Sequence, residues 1–193
     1  MTELERFGRV SHLSEPKTSG DILKNARDFV QKWGIEMNHA TILEAWDLMI
    51  EFQVDRGVTH EAVRARLTSP MQESTRYCNY SKEKYNSEIN VIDIESHLKN
   101  PSVSLDIWIN AMNFAEKSYF AMLEAGESAQ IARSVLPNSL KSKLDIKANL
   151  REWRDILTKR TSLAAHPQMR EVMCPLLDEL KLKLPVIFSD INY

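Results

Sequence analysis

An α+β fold, with long helices packed against a small sheet, is the class the sequence predicts. Three observations predict it. Apolar residues recur at helical spacing over long stretches, above all 104–125 and 167–180. Shorter segments, Trp46–Val54 and Ile89–Ile94, alternate apolar with polar residues as half-buried strands do. At 193 residues the chain is long enough for one domain, 1–193, with a substantial core.

Composition narrows the function classes. Hydrophobic content of 43% and charge of 27% suit a soluble globular protein. A net charge of −2 gives no overall basic field, so no nucleic-acid partner is expected. No apolar run approaches the roughly 20 residues that span a bilayer, and the N-terminus lacks a signal-peptide core. No membrane partner is expected, and the cytoplasm is the expected location. Cys78 and Cys174 form neither a disulfide framework nor a metal spacing, and no metal site is expected. The five glycines make no phosphate-binding loop, so side chains must hold any nucleotide.

Residues 1–19 show no obvious element; Arg9-Val10-Ser11 lies within them. Ile22, Ala26, Phe29, Val30 and Trp33 share one face of a helix over Asp21–Trp33, started by Ser19-Gly20-Asp21 and ended by Gly34. His39-Ala40-Thr41-Ile42-Leu43-Glu44 follows, then the strand 46–54 and a turn at Asp55-Arg56-Gly57.

The run His60–Tyr80 is the richest in chemistry. It reads as a helix over His60–Leu67 with Thr59 as N-cap, broken at Ser69-Pro70, then an extended or loop segment over Gln72–Tyr80. Arg64 and Arg66 are two apart and do not share a helix face, so they suit different anions or different parts of one large ligand. Arg76 approaches after the break. Guanidinium forks suit phosphate and planar carbonyl edges, and Ser74 and Thr75 add hydroxyls. The same composition describes a solvated basic turn, and the residues alone leave both readings open.

Further on, Ser81–Asn90 is loop-like, 89–94 a short strand, and Asn100-Pro101 a break. Ser104 or Asp106 could cap a helix running to about Ala125, with Ile107, Ala111, Phe114, Ala115, Ser118, Met122 and Leu123 as its stripe and Gly126 as its stop. Ser128–Arg133 is a short helix, and 139–146 a strand or extended segment. Asn149–Arg160 is a helix burying Leu150, Trp153, Ile156 and Leu157, with Arg151 and Asp155 spaced to pair. Pro167 opens the last helix, whose stripe is Met169, Val172, Met173, Leu176, Leu177 and Leu180; Pro175 should kink it and Pro185 end it.

Taken in order, these runs resemble the flavin-dependent thymidylate synthases. That family carries Arg-His-Arg, two variable residues, Ser, and later Ser-x-Arg-Tyr. Here Arg64-Ala65-Arg66, Ser69 and Ser74-Thr75-Arg76-Tyr77 fall at matching offsets, with Ala65 in place of the histidine. Arg9-Val10-Ser11 resembles an Arg-Val-Ser near the family's start. His39-x-Thr41-x-x-Glu44 resembles its His-x-Thr-x-x-Glu, with Ala45 where His usually follows. Arg133-Ser134-Val135-Leu136-Pro137 resembles Arg-x-x-Leu-Pro, and Asn149, Arg151 and Arg160 match a later run in which Asp155 replaces Asn or His. Ala165–Glu171 is similar to a run of bacterial and phage-type members.

The resemblance implies a small, mainly antiparallel sheet beside the helices. It implies FAD-dependent methylation of dUMP to dTMP, with methylenetetrahydrofolate and NADPH as co-substrates, in a homotetramer with sites between subunits. It gives cofactor contacts to Ser11, Thr41, Glu44, Arg64, Ala65, Arg66, Asn149, Arg151 and Asp155. Substrate contacts fall to Glu61, Gln72, Glu73, Ser74, Thr75, Arg76, Arg133 and Arg160, with Arg160 also catalytic, polarising the uracil carbonyls. The departures at Ala45, Ala65 and Asp155 keep two alternatives open. One is a divergent enzyme acting on dCMP, UMP or another C5 modification; the other is a non-catalytic nucleotide-binding relative.

Overall fold

The computed structural model describes residues 1–11, 13–16, 18 and 20–193. Helix α1 is Thr2–Val10 and α2 is Ile22–Phe29, which runs on as a π-helical stretch over Val30–Glu36. A 3-10 segment, Ala40–Ala45, leads into strand β1, Asp47–Asp55. Then come α3 (Arg56–Ala62), β2 (Thr68–Gln72), α4 (Pro101–Glu124), α5 (Ala129–Ala132) and a 3-10 turn over Arg133–Val135. Strand β3 (Lys141–Asn149), α6 (Leu150–Arg160), α7 (Pro167–Lys183) and α8 (Pro185–Phe188) complete the chain. The class is α+β: helices with one three-stranded antiparallel sheet of order β1-β3-β2.

Strand β3 shows the period-2 logic most clearly. Ser142, Leu144, Ile146 and Ala148 are buried, while Lys141, Lys143, Asp145 and Lys147 take the other face. Two of those lysines pair with β1, Lys147 to Asp47 at 3.0 Å and Lys143 to Glu51 at 3.5 Å. As β1 ascends, β3 descends, as an antiparallel pair requires.

The chain divides into two compact units. The first holds residues 1–50, 65–69 and 146–193. Its core includes Leu4, Phe29, Val30, Ile42, Leu43, Trp153, Leu157, Met173, Leu177 and Phe188. Helix α6 packs on the 3-10 segment and on α7, and α8 packs on α7. Trp153 Nε1 donates to the Leu48 carbonyl at 3.1 Å, so the indole is buried without an orphaned N–H. The second unit holds 51–64 and 70–145. A cluster of Tyr80, Tyr119, Ala132 and Leu140 forms a core there, with Phe120, Met122 and Leu123 of α4 against it.

Several sequence expectations are corrected. Residues 2–10 form a helix, supported by an Arg9–Glu5 ion pair one turn apart. Asp21 caps α2 by accepting the Lys24 N–H at 3.0 Å, while Ser19 lies outside the described residues. Gly34 does not end that helix; the π-helical stretch carries the chain through it to Glu36. Asp55-Arg56-Gly57 is a helix start rather than a free turn. The buried Asp55 carboxylate accepts the Val58 N–H at 2.7 Å and is the cap of α3. Thr59 lies inside the helix, its hydroxyl donating back to the Arg56 carbonyl. With its start moved back to Arg56, the helix ends at Ala62, and Ser69-Pro70 falls within β2. Ile89–Ile94 makes one antiparallel bridge, Val91 to Leu140, rather than a strand.

Helix α4 begins at Pro101, because a proline at the first helical position needs no N–H partner; neither Ser104 nor Asp106 caps it. Gly126, at φ 94°, stops it as expected. Its buried face differs from the expected stripe. Tyr119 is fully buried, whereas Ile107 and Phe114 are 65% and 74% exposed. No helix among the described residues is long and apolar enough to cross a membrane.

Candidate functional site

In the first unit, three separate segments converge on one cavity of about 590 Å3. The end of α1 contributes Phe7, Gly8, Val10 and Ser11; the 3-10 segment and its approach contribute His39, Thr41 and Ile42; and the first turn of α6 contributes Arg151. Gly8 makes the convergence possible. A Cβ there would sit 2.8 Å from Phe29 Cε1 and 2.9 Å from Ile42 Cδ1, so any larger residue would force those side chains or α1 to shift. Ser11 Oγ donates to the Gly8 carbonyl at 2.8 Å, and the His39 ring stands 5.4 Å from Trp33.

Arg151 is held at the cavity by Glu44, Nη1 to Oε1 at 2.5 Å. Its expected surface partner Asp155 instead pairs with Lys159, also at 2.5 Å. The 3-10 segment presents Glu44 to the start of α6, and that carboxylate takes the guanidinium. Asn149 Oδ1 accepts the Glu152 N–H at 2.9 Å and so caps α6. An apolar wall facing hydroxyl, imidazole and guanidinium groups fits a large, flat heteroaromatic ligand with a polar edge or phosphate.

In the second unit, four of the residues expected to hold substrate line two cavities, two in each. Gln72 and Glu73 line one of about 540 Å3 with Glu51, Tyr80, Lys141 and Lys143. The Gln72 amide nitrogen donates to Thr59 Oγ1 at 2.8 Å and Ser142 Oγ at 3.2 Å. Tyr80 Oη donates to Glu73 Oε1 at 3.2 Å. Burial pushes the Tyr80 phenol far above its ordinary value, and the Glu73 carboxylate adds to that, so it stays protonated at neutral pH.

Thr75 and Arg133 line the other cavity, of about 480 Å3, with Arg56, Gln130 and Ser134. Arg133 Nη1 donates to the buried Thr75 hydroxyl at 3.3 Å. Arg76 donates from Nε to Gln130 Oε1 at 3.2 Å and stacks on Tyr77, and its own N–H meets Ser74 Oγ at 3.3 Å.

The remaining expected residues lie outside these cavities. Glu61 is half-buried in α3. Arg64, Ala65 and Arg66 lie between α3 and β2, both arginines exposed, and the Ala65 carbonyl accepts the Thr68 hydroxyl at 2.8 Å. Arg160 is half-buried in the last turn of α6. Sequence reasoning missed Arg56, which it read as a turn residue, and the lysine face of β3. The alternation of Lys141, Lys143 and Lys147 was the available signal for the latter.

Comparison with known proteins adds to this geometry. The family described as thymidylate synthase complementing protein matches residues 2–186. A flavin-dependent thymidylate synthase of Corynebacterium glutamicum is 28% identical over 172 residues, covering 81% of this chain and 66% of that protein. One from Pyrococcus abyssi is 32% identical over 143 residues, covering 74% and 57%. The chain thus spans just under two thirds, or less, of these relatives' lengths. In fold it is similar to a crystal structure of the Helicobacter pylori flavin-dependent thymidylate synthase complexed with FAD and dUMP. The TM-score is 0.76 at 21% identity, over 100% of this chain and 95% of that one.

Proposed function

The chain belongs to the thymidylate synthase complementing protein family, the flavin-dependent thymidylate synthases, and from that premise we propose that it methylates dUMP to dTMP. FAD is the cofactor, methylenetetrahydrofolate the carbon donor and NADPH the reductant. The observation that carries this reading is the convergence of Ser11, Thr41 and Arg151 on one cavity, with Glu44 held against Arg151. Phe7, Val10 and Ile42 supply an apolar wall for the flavin ring, and Arg151 a cation for its diphosphate. When bound, the reduced flavin supplies the hydride delivered to the pyrimidine.

The chain's own residues bind, orient and neutralise. Arg133 and Thr75 hold the nucleotide phosphate, with Arg76 and Ser74 beside them. Gln72, Glu73 and Glu61 meet the polar edges of the nucleotide. Arg160 polarises the uracil carbonyls and stabilises the negative charge that develops on the ring. Arg64, Arg66 and Asn149 complete the cofactor's polar contacts. Ala65 leaves a ring position of the family motif empty, and Asp155 adds a carboxylate that Lys159 neutralises.

The active assembly is a cytoplasmic homotetramer of single-domain chains, with sites between subunits. Val103, Ile107 and Phe114 support the assembly: they share one face of α4 and are 61–74% exposed in the single chain. Light scattering at the tetramer mass is the expected result, and a monomer mass contradicts it.

Ala45, Ala65 and Asp155 favour a second reading, in which the same fold serves dCMP, UMP or another C5 modification, or binds nucleotide without turnover. Incubation with the folate, NADPH and each nucleotide separates the readings. Product from dUMP alone supports the first; product from UMP or dCMP, or from none, supports the second.

A further inference from the structure

We infer that Arg56 is a second anion-binding arginine, which together with Arg133, Thr75 and Ser134 grips the phosphate monoester of the nucleotide. The inference rests on the nucleotide reading above and adds to it a residue outside every motif that carried that reading.

The backbone of Arg56 is pinned. Its N–H donates to the carbonyl oxygens of Asn138 at 2.9 Å and Leu140 at 3.1 Å, and its own carbonyl accepts the Thr59 hydroxyl at 3.0 Å. From this fixed point the side chain lines the 480 Å3 cavity. Its Nη1 is buried and has no hydrogen-bond partner among the described residues. A buried, charged donor without an acceptor is costly, and an apolar side chain would avoid the cost. An anion that supplies the acceptor offsets it.

The rest of the lining specifies which anion. Thr75, Gln130, Ile131, Arg133 and Ser134 complete the cavity, and no carboxylate lies among them. Gln130 accepts from Arg76 through Oε1, which leaves its amide N–H groups as donors. Two guanidiniums, two hydroxyls and an amide match a group with several acceptor oxygens and nearly two negative charges, as a phosphate monoester has. The neighbouring 540 Å3 cavity, by contrast, sets Glu51, Glu73 and Asp145 among its lysines and would repel such a group. Arg56 therefore sets the preference for the phosphorylated nucleotide over the free nucleoside.

Calorimetric titration of wild type, Arg56→Met and Arg56→Lys with dUMP, deoxyuridine and inorganic phosphate tests this. Arg56→Met should weaken dUMP and inorganic phosphate by roughly ten- to a hundredfold, the loss expected for charge-assisted hydrogen bonds, and leave deoxyuridine unchanged. Arg56→Lys, which keeps the charge and loses the fork, should fall between. A folded Arg56→Met that binds dUMP and phosphate like wild type overturns the inference, as does equal weakening of deoxyuridine. Should Arg56→Met fail to fold, wild-type phosphate affinity in Arg56→Lys overturns it. If wild type binds phosphate through Arg56 but not dUMP, the nucleotide reading falls and the anion site stands. If wild type binds neither, both fall.

Discussion

Arg151 and Glu44 are 107 residues apart in the chain, and their side chains meet at 2.5 Å. The pair joins the start of α6 to the 3-10 segment that carries Thr41, at the edge of the proposed flavin cavity. Both side chains are substantially exposed, 55% and 38%, so solvent screens the attraction and its contribution to stability is under about 1 kcal/mol. Its importance lies in aiming the guanidinium.

Glu44→Gln should therefore separate stability from binding. Urea denaturation should show a loss of under about 1 kcal/mol. Flavin affinity, followed by fluorescence quenching, should fall by roughly tenfold as Arg151 loses its orientation. Equal flavin affinity in the variant would remove Glu44 from the account.

Gly8→Ala tests the close approach of α1. The added methyl meets the buried side chains of Phe29 and Ile42 at 2.8–2.9 Å, so one or both must shift, Ile42 toward the cavity it lines. Overpacking of this kind costs about 1–3 kcal/mol. Thermal melts and flavin titration should both report it, since Gly8 lines the cavity. A variant as stable as wild type would mean that α1 shifts freely.

Asp190 ties the C-terminal segment to α6 through a two-pronged contact, both oxygens 2.6 Å from Arg154, while Arg154 also donates to the Ile187 carbonyl. Hydrogen bonds from Arg154 hold the Asp190 carboxyl below its ordinary 3.8, with desolvation opposing them. A carboxyl with a lowered folded pKa contributes its stability above the unfolded value and loses it as pH falls through the folded one. Asp190→Asn should melt about 1–3 °C below wild type at pH 7, and the two curves should converge toward pH 2. Parallel curves over that range would contradict the linkage.

Ala65→His restores the ring that the family motif carries and this chain lacks. If that ring stacks on the flavin or donates a hydrogen bond to it, the variant should bind FAD several-fold more tightly, an increment of about 1 kcal/mol. Equal affinities would show that the loss of the histidine is neutral.

The sequence made much of this legible, for physical reasons that differ by element. The face of α6 and most of the α7 stripe bury what their 3.6-residue period says they should, with Met173, Leu177, Trp153 and Leu157 almost wholly inside, while Val172 and Leu176 stay half-buried. Thr41 and Arg151 were identified by motif, and the fold brings them to one cavity. What escaped was mostly competition between partners. Arg151 had two carboxylates to choose from, and only the fold reveals that Glu44 wins and Asp155 goes to Lys159. The same holds for the α3 cap, where a buried Asp55 takes the role read onto Thr59. Arg56 escaped because its significance lies in a burial that no spacing encodes. In α4, Ile107 and Phe114 fit the apolar period yet remain exposed, because period alone does not say whether a face is covered within the chain or by another copy.

The most direct test of the central claim is the visible spectrum of the purified protein, recorded before and after FAD and then dUMP are added. A bound-flavin spectrum that shifts when dUMP is added is the expected result. No flavin binding at saturating FAD would contradict it, and would mean that the cavity formed by Ser11, Thr41 and Arg151 serves another ligand.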